Sequence, residues 1–237
     1  MRDVSRPATP DEELLGAERP AVATERTEEE RLQRIRAELV AGYDALGKLG
    51  CAVSCFGSAR IPETHPDYAL ARETGKRLGA AGFAVITGGG PGLMEAANRG
   101  AREAGVTSVG LNIDLPFEQA PNPYQDVALR FHYFFTRKIM FVRFASAFVV
   151  FPGGFGTLDE LFEALVLIQT RKIRHFPVVL VRPDYWRGLT DWVRERLVAD
   201  GMIAPSDLDL FTVTEDPDEV VARVRAGAER QGMGLAA

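Results

Sequence analysis

The stretch AFVVFPGGFGTLDE, residues 147–160, contains an apolar run, a glycine-rich turn and the start of a helical pattern. Residues 147–151 are all apolar, which is typical of a strand buried on both faces of a parallel sheet. Glycines in the turn allow backbone N–H groups to approach a ligand closely, and the free N–H groups of a following helix favour a phosphate. The stretch therefore predicts a strand, an anion-binding loop and a helix in succession.

A second glycine-rich turn, TGGGPGLME at residues 87–95, also lies between a predicted strand and a predicted helix. In open α/β sheets, ligands bind beyond the carboxyl ends of the strands, so both turns are expected to border one crevice. Neither turn spells the dinucleotide-binding motif G-x-G-x-x-G or the P-loop motif, which disfavours a dinucleotide cofactor and nucleoside triphosphate hydrolysis. The two turns together favour a monophosphate, although each one alone is also explained as a tight turn without a ligand.

Short apolar runs alternate with helical patterns along most of the chain. Strands are predicted at residues 51–56, 83–87, 107–113, 127–131, 147–151 and 177–181. Helices are predicted at residues 28–49, 67–81, 93–104, 134–145, 158–170, 185–199 and 216–228. Strands that alternate with helices of this length indicate βαβ units, so we expect an α/β fold with a doubly wound parallel sheet and helices on both faces.

The net charge of the chain is concentrated at its N-terminus. Residues 1–30 contain four Arg and nine Asp or Glu, which accounts for the whole net charge of −5, and they contain no aromatic residue. Much charge and little apolar surface predict a disordered acidic tail over residues 1–30, followed by a single domain over residues 31–237. Removal of such a tail should leave assembly and activity intact. The body is electrically neutral, which argues against general nucleic-acid binding.

Composition disfavours several other classes of protein. The chain is 46% hydrophobic and 26% charged, as in ordinary globular proteins. No apolar run approaches the ~18 residues of a membrane span, and the N-terminus has no apolar signal segment, so we expect a cytoplasmic protein without membrane contact. Cys51 and Cys55 would lie too far apart along a strand to form a disulfide. The three histidines are scattered in sequence, so no metal site is predicted.

Three further features each allow a structural and a functional interpretation. Thr157 and Glu160 match a capping box, but several acids at a helix end that should meet a phosphate favour a catalytic carboxylate. The adjacent Arg137 and Lys138 are suited either to binding a phosphate or to an ordinary solvated helix face. Residues 131–151 hold eight of the 21 aromatic residues, which favours a subunit interface over a deeply buried helix.

In combination, these motifs resemble the Lonely Guy (LOG) family of cytokinin riboside 5′-monophosphate phosphoribohydrolases, in its longer bacterial form. Residues 152–160 match the signature P-G-G-x-G-T-x-x-E, and the Arg137-Lys138 pair and the turn at residues 88–94 match as well. The resemblance implies a Rossmann-like fold and a homodimer or a multiple of it. It also implies hydrolysis of a nucleoside 5′-monophosphate, such as AMP or an N6-substituted AMP, to the free base and ribose 5-phosphate.

The resemblance further implies roles for individual residues. Arg137 and Glu160 would form the catalytic pair, with Glu160 stabilising the positive charge that develops on the ribose. The candidate substrate-binding residues are Gly57, Ser58, Gly88, Gly89, Gly90, Gly92, Met94, Lys138, Gly153, Gly154, Phe155, Gly156 and Thr157. No metal and no organic cofactor are implied. The lysine decarboxylase label often given to the family is disfavoured, because the chain has four Lys and no recognisable pyridoxal phosphate site.

Two other functions are compatible with the same scaffold. A related fold can serve as a non-catalytic carrier or sensor of a nucleotide-like ligand, as in molybdenum-cofactor carrier proteins, and a related fold can bind DNA. The presence of both Arg137 and Glu160 favours the enzyme over the carrier. The neutral charge of residues 31–237 disfavours the DNA-binding function.

Overall fold

Seven parallel strands form one sheet at the centre of the protein. The computed structural model describes residues 9–16, 26–115, 120–174 and 176–234. The strands are β1 (Ala52–Phe56), β2 (Ala84–Thr87), β3 (Ser108–Ile113), β4 (Val127–Phe131), β5 (Ala147–Val150), β6 (Val178–Val181) and β7 (Thr212–Thr214). Their order is β4-β3-β2-β1-β5-β6-β7, and every neighbouring pair is parallel. The predicted parallel sheet is confirmed, and only the edge strand β7 was not anticipated.

Helices pack against both faces of the sheet, which confirms the doubly wound, Rossmann-like arrangement. They are α1 (Pro10–Gly16), α2 (Glu28–Leu46), α3 (Pro66–Ala80), α4 (Leu93–Glu103), α5 (Phe134–Arg143), α6 (Phe155–Gln169), α7 (Pro183–Trp192) and α8 (Pro217–Arg230). A π-helical segment, Val193–Val198, continues α7, and a 3₁₀ helix at Pro205–Leu210 precedes β7. Within the described ranges, no helix is both long and apolar enough to cross a membrane.

Alternate residues of β1 enter two separate hydrophobic cores, as the period of a strand requires. Phe56 belongs to one core, where its ring makes edge-to-face contacts with Phe141 and Phe148 at centroid distances of 4.9 and 4.8 Å. Val53 belongs to the other core, together with Leu78 of α3. The residues of β1 are buried throughout, which explains why this strand appears in the sequence as an uninterrupted run of small and apolar residues.

The strand order changes direction between β1 and β5. Strands β2, β3 and β4 follow on one side of β1, whereas β5, β6 and β7 follow on the other. Such a switch point opens a crevice, because the connections leave the sheet on opposite sides. The backbone N–H of Ser58, just beyond β1, donates to the carbonyl of Pro152 beyond β5 at 2.9 Å. The glycine-rich turn after β5 therefore lies directly at the switch point.

The N-terminal segment is helical at residues 10–16 and from residue 28 onward. Glu13 of α1 is only 4% exposed and forms ion pairs with Arg26 at 2.8 Å and with Arg31 at 3.1 Å. The predicted disordered tail is therefore wrong for residues 10–16 and 28–30, because buried ion pairs replace the apolar contacts that this segment lacks. The boundary expected at residue 31 falls inside α2. Residues 1–8 and 17–25 lie outside the described residues.

Candidate active site

A cavity of about 730 Å³ opens at the carboxyl ends of β1, β2 and β5. Its walls are the loops after these three strands, the first turns of α5 and α6, and Tyr185 of α7, among other residues. All but two of the predicted site residues line the cavity. These are Gly57, Ser58, Gly88, Gly89, Gly90, Met94, Arg137, Gly153, Gly154, Phe155, Gly156, Thr157 and Glu160. The two exceptions are Gly92 and Lys138.

Glu160 lies in the wall of the cavity and does not cap a helix. Helix α6 begins at Phe155 with Gly154 as its N-cap, so Thr157 is already inside the helix and the capping-box interpretation is wrong. The Glu160 side chain is buried, and its Oε2 atom has no hydrogen-bond partner. Burial raises the pKa of Glu160 from 4.5 to about 7, although the neighbouring Lys138 and Arg137 oppose the rise. A carboxyl group of this kind can exchange a proton near neutral pH.

Arg137 is held in the same cavity by aromatic side chains. The carbon at the centre of its guanidinium group lies 5.0 Å from the ring centre of Phe134 and 5.5 Å from that of Phe141. Its Nε atom is buried and has no hydrogen-bond partner. Burial lowers the pKa of Arg137, while the charge of Glu160 acts in the opposite direction. The guanidinium therefore keeps an unused N–H donor beside the cavity, as a group that binds an anion would.

Lys138 is directed elsewhere, although it is adjacent to Arg137 in sequence. Its Nζ atom forms ion pairs with Asp159 and Glu163 of α6, both at 3.0 Å. Lys138 thus ties α5 to α6 and does not reach the cavity lining. Its predicted contact with a phosphate has no support in this arrangement, because the ammonium group already faces two carboxylates.

The turn after β5 presents its backbone to the cavity. A Cβ atom at Gly154 or Gly156 would meet nothing within 4 Å, so both residues border open space. A Cβ atom at Gly153 would lie 2.1 Å from Oγ1 of Thr157, which explains the need for glycine there. Tyr185 donates a hydrogen bond of 2.5 Å to the carbonyl of Gly153 and holds this turn from α7.

The turn after β2 is held by a network of neutral side chains. Thr87 Oγ1 accepts from the N–H of Gly89 at 3.0 Å and donates to Asn98 Oδ1 at 2.6 Å. Asn122 Nδ2 donates to the same Asn98 oxygen at 2.9 Å. Gln125 Nε2 donates to the carbonyl of Gly89 at 2.7 Å. These bonds fix a backbone in which Gly89 has a φ of +73°, a conformation that favours glycine.

Gly92 shapes the cavity without lining it. Its φ is +69°, and a Cβ atom there would lie 2.4 Å from the carbonyl oxygen of Ser58. The next residue, Leu93, donates its backbone N–H to the same carbonyl at 2.9 Å. Gly92 therefore permits the turn after β2 to pack against the turn after β1.

Several functional side chains were not found from the sequence. Tyr185 follows β6 on a helix with no special motif, and the three amides of the network come from separate elements. Asn98 lies on α4, whereas Asn122 and Gln125 lie between β3 and β4.

A protein family, curated relatives and solved structures all resemble this chain. A family model described as "Possible lysine decarboxylase" matches residues 94–224, more than half of the chain. A cytokinin riboside 5′-monophosphate phosphoribohydrolase of Mycobacterium tuberculosis is 30% identical over 182 residues, which cover 74% of this chain and 93% of that protein. The LOG5 protein of Arabidopsis thaliana, with the same activity in its name, is 31% identical and covered to 76%. The chain belongs to the LOG family.

A longer relative of this LOG-family chain occurs in Escherichia coli K12. It is named pyrimidine/purine nucleotide 5′-monophosphate nucleosidase and is 31% identical over 166 residues. The matched region covers 62% of this chain but only 35% of the nucleosidase. The chain therefore spans about a third of that relative.

Solved structures share the fold. A crystal structure named TM1055 has a TM-score of 0.57 and 28% identity, and the match covers 74% of this chain and 98% of that one. A molybdenum cofactor carrier protein of Chlamydomonas reinhardtii has a TM-score of 0.54 at 24% identity, with 76% of this chain and 99% of that chain covered. The similarity to the carrier protein shows a shared fold only.

The chemistry named in the family description does not fit the cavity. Pyridoxal-dependent decarboxylation uses a lysine that forms a Schiff base with the cofactor. None of the described residues that line the cavity is a lysine, and Lys138 is engaged by Asp159 and Glu163. In the described part of the chain, no group of His, Cys, Asp and Glu side chains is arranged to hold a metal ion.

Proposed function

We propose that this chain hydrolyses the N-glycosidic bond of a nucleoside 5′-monophosphate, such as AMP or an N6-substituted AMP, and releases the free base and ribose 5-phosphate. The observation that carries the proposal is Glu160, a buried carboxyl with a pKa near 7 and an unpartnered oxygen in a cavity bordered by two glycine-rich turns. The names of the relatives in M. tuberculosis and E. coli support the same reaction.

The reaction divides into bond cleavage and addition of water. When the bond between C1′ and the base nitrogen breaks, its electron pair leaves with the base, and positive charge develops on C1′ and the ring oxygen. Water adds to C1′, one of its protons is released, and the base gains a proton. The ionised Glu160 stabilises the cationic ribose and accepts the proton of the attacking water. None of these steps requires a metal or an organic cofactor.

The substrate phosphate would bind at the turn after β5. Gly154 and Gly156 leave room for close approach, and the first N–H groups of α6 provide donors together with the positive end of the helix dipole. Thr157 lines the same part of the cavity and can add its hydroxyl. Arg137, whose Nε atom has no hydrogen-bond partner, would orient the substrate or the Glu160 carboxylate.

A panel of substrates tests this proposal. AMP, N6-isopentenyl-AMP, CMP, IMP and adenosine are incubated with the protein, and free base and ribose 5-phosphate are measured by chromatography. We expect release of base from AMP or its N6-substituted form and none from adenosine. Equal cleavage of adenosine would contradict the phosphate site. Binding of AMP without any cleavage would favour the alternative, a non-catalytic carrier or sensor.

We also propose that the chain forms a homodimer, or a multiple of it, through α5 and α6. Five large apolar side chains on these helices are 39–54% exposed: Phe134, Phe135, Ile139, Phe162 and Val166. Exposed apolar surface of this kind is typical of subunit interfaces. Because Phe134 also lines the cavity, the interface would border the active site. Sedimentation at micromolar concentration should give at least twice the 26.0 kDa of one chain, and a monomer would refute the interface.

The remaining partners and the location stay predictions. The neutral body disfavours nucleic acid as a partner. A cytoplasmic location and the absence of membrane contact likewise rest on the sequence alone.

A further inference from the structure

The turn between β4 and α5 is bound by a carboxylate from α2. Glu38 is buried, and its Oε1 accepts a hydrogen bond of 2.9 Å from the backbone N–H of His132. The same oxygen lies 2.8 Å from Nδ1 of the His132 ring. The other oxygen of Glu38 accepts a hydrogen bond of 2.6 Å from the hydroxyl of Thr136. One side chain of α2 therefore holds both the turn that precedes α5 and the first turn of the helix.

A second carboxylate reaches the start of the same helix from α1. The two oxygens of Asp11 lie 3.3 and 3.4 Å from the backbone N–H of Phe134, the first residue of α5. Tyr133, at the N-cap position, supplies no side-chain cap of its own. An acceptor at this place satisfies a free N–H group, and a negative charge there interacts favourably with the helix dipole. Asp11 thus acts as the helix cap from a position 123 residues earlier in the chain.

Helix α1 is itself fixed in place. Glu13 accepts hydrogen bonds from the backbone N–H of Arg26 at 3.1 Å, from the Arg26 side chain at 2.8 Å and from Arg31 at 3.1 Å. Glu13 and Arg31 are both nearly inaccessible to solvent. Removing one member of such a pair leaves an uncompensated buried charge, which is strongly destabilising. The contacts of Glu13 therefore hold α1, and with it Asp11, against α2.

The capped helix carries Arg137 one turn after Phe134, and both residues line the cavity. We propose that Asp11 and Glu38 are positioning residues that fix Arg137 by holding the first turn of α5, so that the helices preceding the sheet take part in the active site. This inference rests on the proposed function for the role of Arg137. It also reverses the expectation that residues 1–30 are dispensable for activity.

Electrostatics agree with this arrangement. Burial raises the pKa of Asp11, whereas the N–H of Phe134 and the charge of Arg137 act against the rise and the charge of Glu38 adds to it. The Asp11 carboxylate and the Arg137 guanidinium are thus close enough to interact across the first turn of α5.

Substitutions at Asp11 test the inference. Asp11→Ala removes the acceptor and the charge, whereas Asp11→Asn removes the charge and keeps an acceptor. Asp44→Asn removes an exposed carboxylate of α2 and is the matched control. Steady-state cleavage of AMP, binding of AMP by calorimetry, melting temperature and hydrogen exchange of the peptide covering residues 131–143 are measured for each variant.

We expect Asp11→Ala to exchange faster at the start of α5. Its kcat/KM should fall by about three- to thirtyfold, the factor obtained when the whole free energy of a helix cap is lost from the placement of Arg137. Asp11→Asn should recover most of the exchange protection and part of the activity, and Asp44→Asn should match the wild type. Faster exchange with unchanged kcat/KM would show a cap without a positioning role and overturn the inference. If Asp11→Ala does not fold, Asp11→Asn decides the inference. Wild-type exchange together with wild-type kinetics would overturn it, and slower turnover at an unchanged melting temperature would support it.

Failure of the proposed function can be distinguished from failure of this inference. If the wild type cleaves none of the nucleotides, the hydrolase proposal fails. The positioning of Arg137 is then decided by exchange in α5 together with AMP affinity. Equal affinity and equal exchange in wild type and Asp11→Ala overturn the inference in that case as well.

Discussion

The two glycine-rich turns border the same cavity, but the side chains around them differ in charge and in hydrogen bonding. Around the turn after β2, the side chains of Thr87, Asn98 and Asn122 are uncharged, buried and hydrogen-bonded to one another. The other wall, which includes Glu160 of α6 and Arg137 of α5, is ionisable and keeps buried atoms without hydrogen-bond partners. An unsatisfied buried polar group costs about 1–3 kcal/mol, so the second wall lowers stability where the first one supplies it. Such a division is expected when one wall is scaffold and the other carries the chemistry.

Glu160→Gln alters the wall that contains Glu160 and Arg137, the reactive wall, and should have the largest effect on turnover. The amide keeps the size of the side chain but carries no negative charge to meet the cationic ribose and cannot accept a proton from water. We expect a loss of about 10²- to 10⁴-fold in turnover with AMP affinity largely retained. Turnover assays and calorimetric binding on one preparation measure both. Turnover near that of the wild type would remove Glu160 from the mechanism.

The same substitution should raise stability at neutral and alkaline pH. The pKa of Glu160 in the folded protein, about 7, lies above its ordinary value of 4.5, so the folded state binds the extra proton between these values. Stability of the wild type therefore falls as pH rises from 4.5 to 7, and Glu160→Gln avoids this loss. The gain is at most about 3 kcal/mol above pH 7 and should vanish below pH 4.5. Melting curves at pH 4, 6 and 8 measure it, and a variant that is less stable at pH 8 would contradict the burial cost.

The activity of the wild type should depend on the ionisation of Glu160 in the same pH range. Because the proposed mechanism uses the ionised form of Glu160, kcat/KM should rise with pH to a plateau, with an apparent pKa of about 7. Initial rates at low AMP concentration across pH 5 to 9 measure this limb. A profile that is flat between pH 5.5 and 8 would exclude Glu160 as the titrating base.

Arg137→Lys should have the next largest effect, because an ammonium group keeps the charge but lacks the planar set of donors. Hydrogen bonds to charged groups contribute about 1.5–3 kcal/mol, so we expect kcat/KM to fall about ten- to hundredfold. Lys138→Arg is the matched control, since its partners Asp159 and Glu163 can accept from either side chain. Steady-state kinetics with AMP compare the two variants. Equal losses in both would contradict the separation of Arg137 from Lys138.

Arg137 and Lys138 also mark the limit of sequence-based prediction. Six strands and both glycine-rich turns at the cavity could be predicted, because buried apolar runs and glycine clusters are local signals. Which of two adjacent basic residues faces the cavity depends on the rotation of α5, since neighbouring positions on a helix point about 100° apart. Nothing in the local sequence fixes that rotation.

The contacts that fix the site come from distant parts of the chain, which explains the other failures. Asp11 caps α5 across 123 residues, and Glu38 reaches Thr136 across 98. Composition alone placed residues 10–16 and 28–30 in a disordered tail, because it counts charges without showing their partners. Tyr185 was missed for the same reason, since its hydroxyl meets the carbonyl of Gly153 only after β6 has paired with β5.

Asn98→Ala disrupts the neutral hydrogen-bond network around the turn after β2 and should have the smallest effect on kcat. The change removes the shared acceptor of Thr87 and Asn122 and also the donor that reaches Ser108 Oγ at 2.7 Å. Because the buried partners are left unsatisfied, we expect a loss of about 1–3 kcal/mol in the free energy of unfolding. The turn after β2 would loosen, so KM for AMP should rise a few-fold, whereas kcat should stay close to that of the wild type.

Denaturant unfolding and steady-state kinetics on Asn98→Ala test whether the neutral network supports stability while the reactive wall supports catalysis. Thr87→Val is the matched variant, because it removes one hydroxyl of the network while Asn122 still donates to Asn98. Its loss of stability should be smaller than that of Asn98→Ala, with kcat again retained. A large fall in kcat at unchanged stability in either variant would place the neutral network in the chemistry. The contrast between a stabilising wall and a reactive wall would then be wrong, since both turns would act on the transition state.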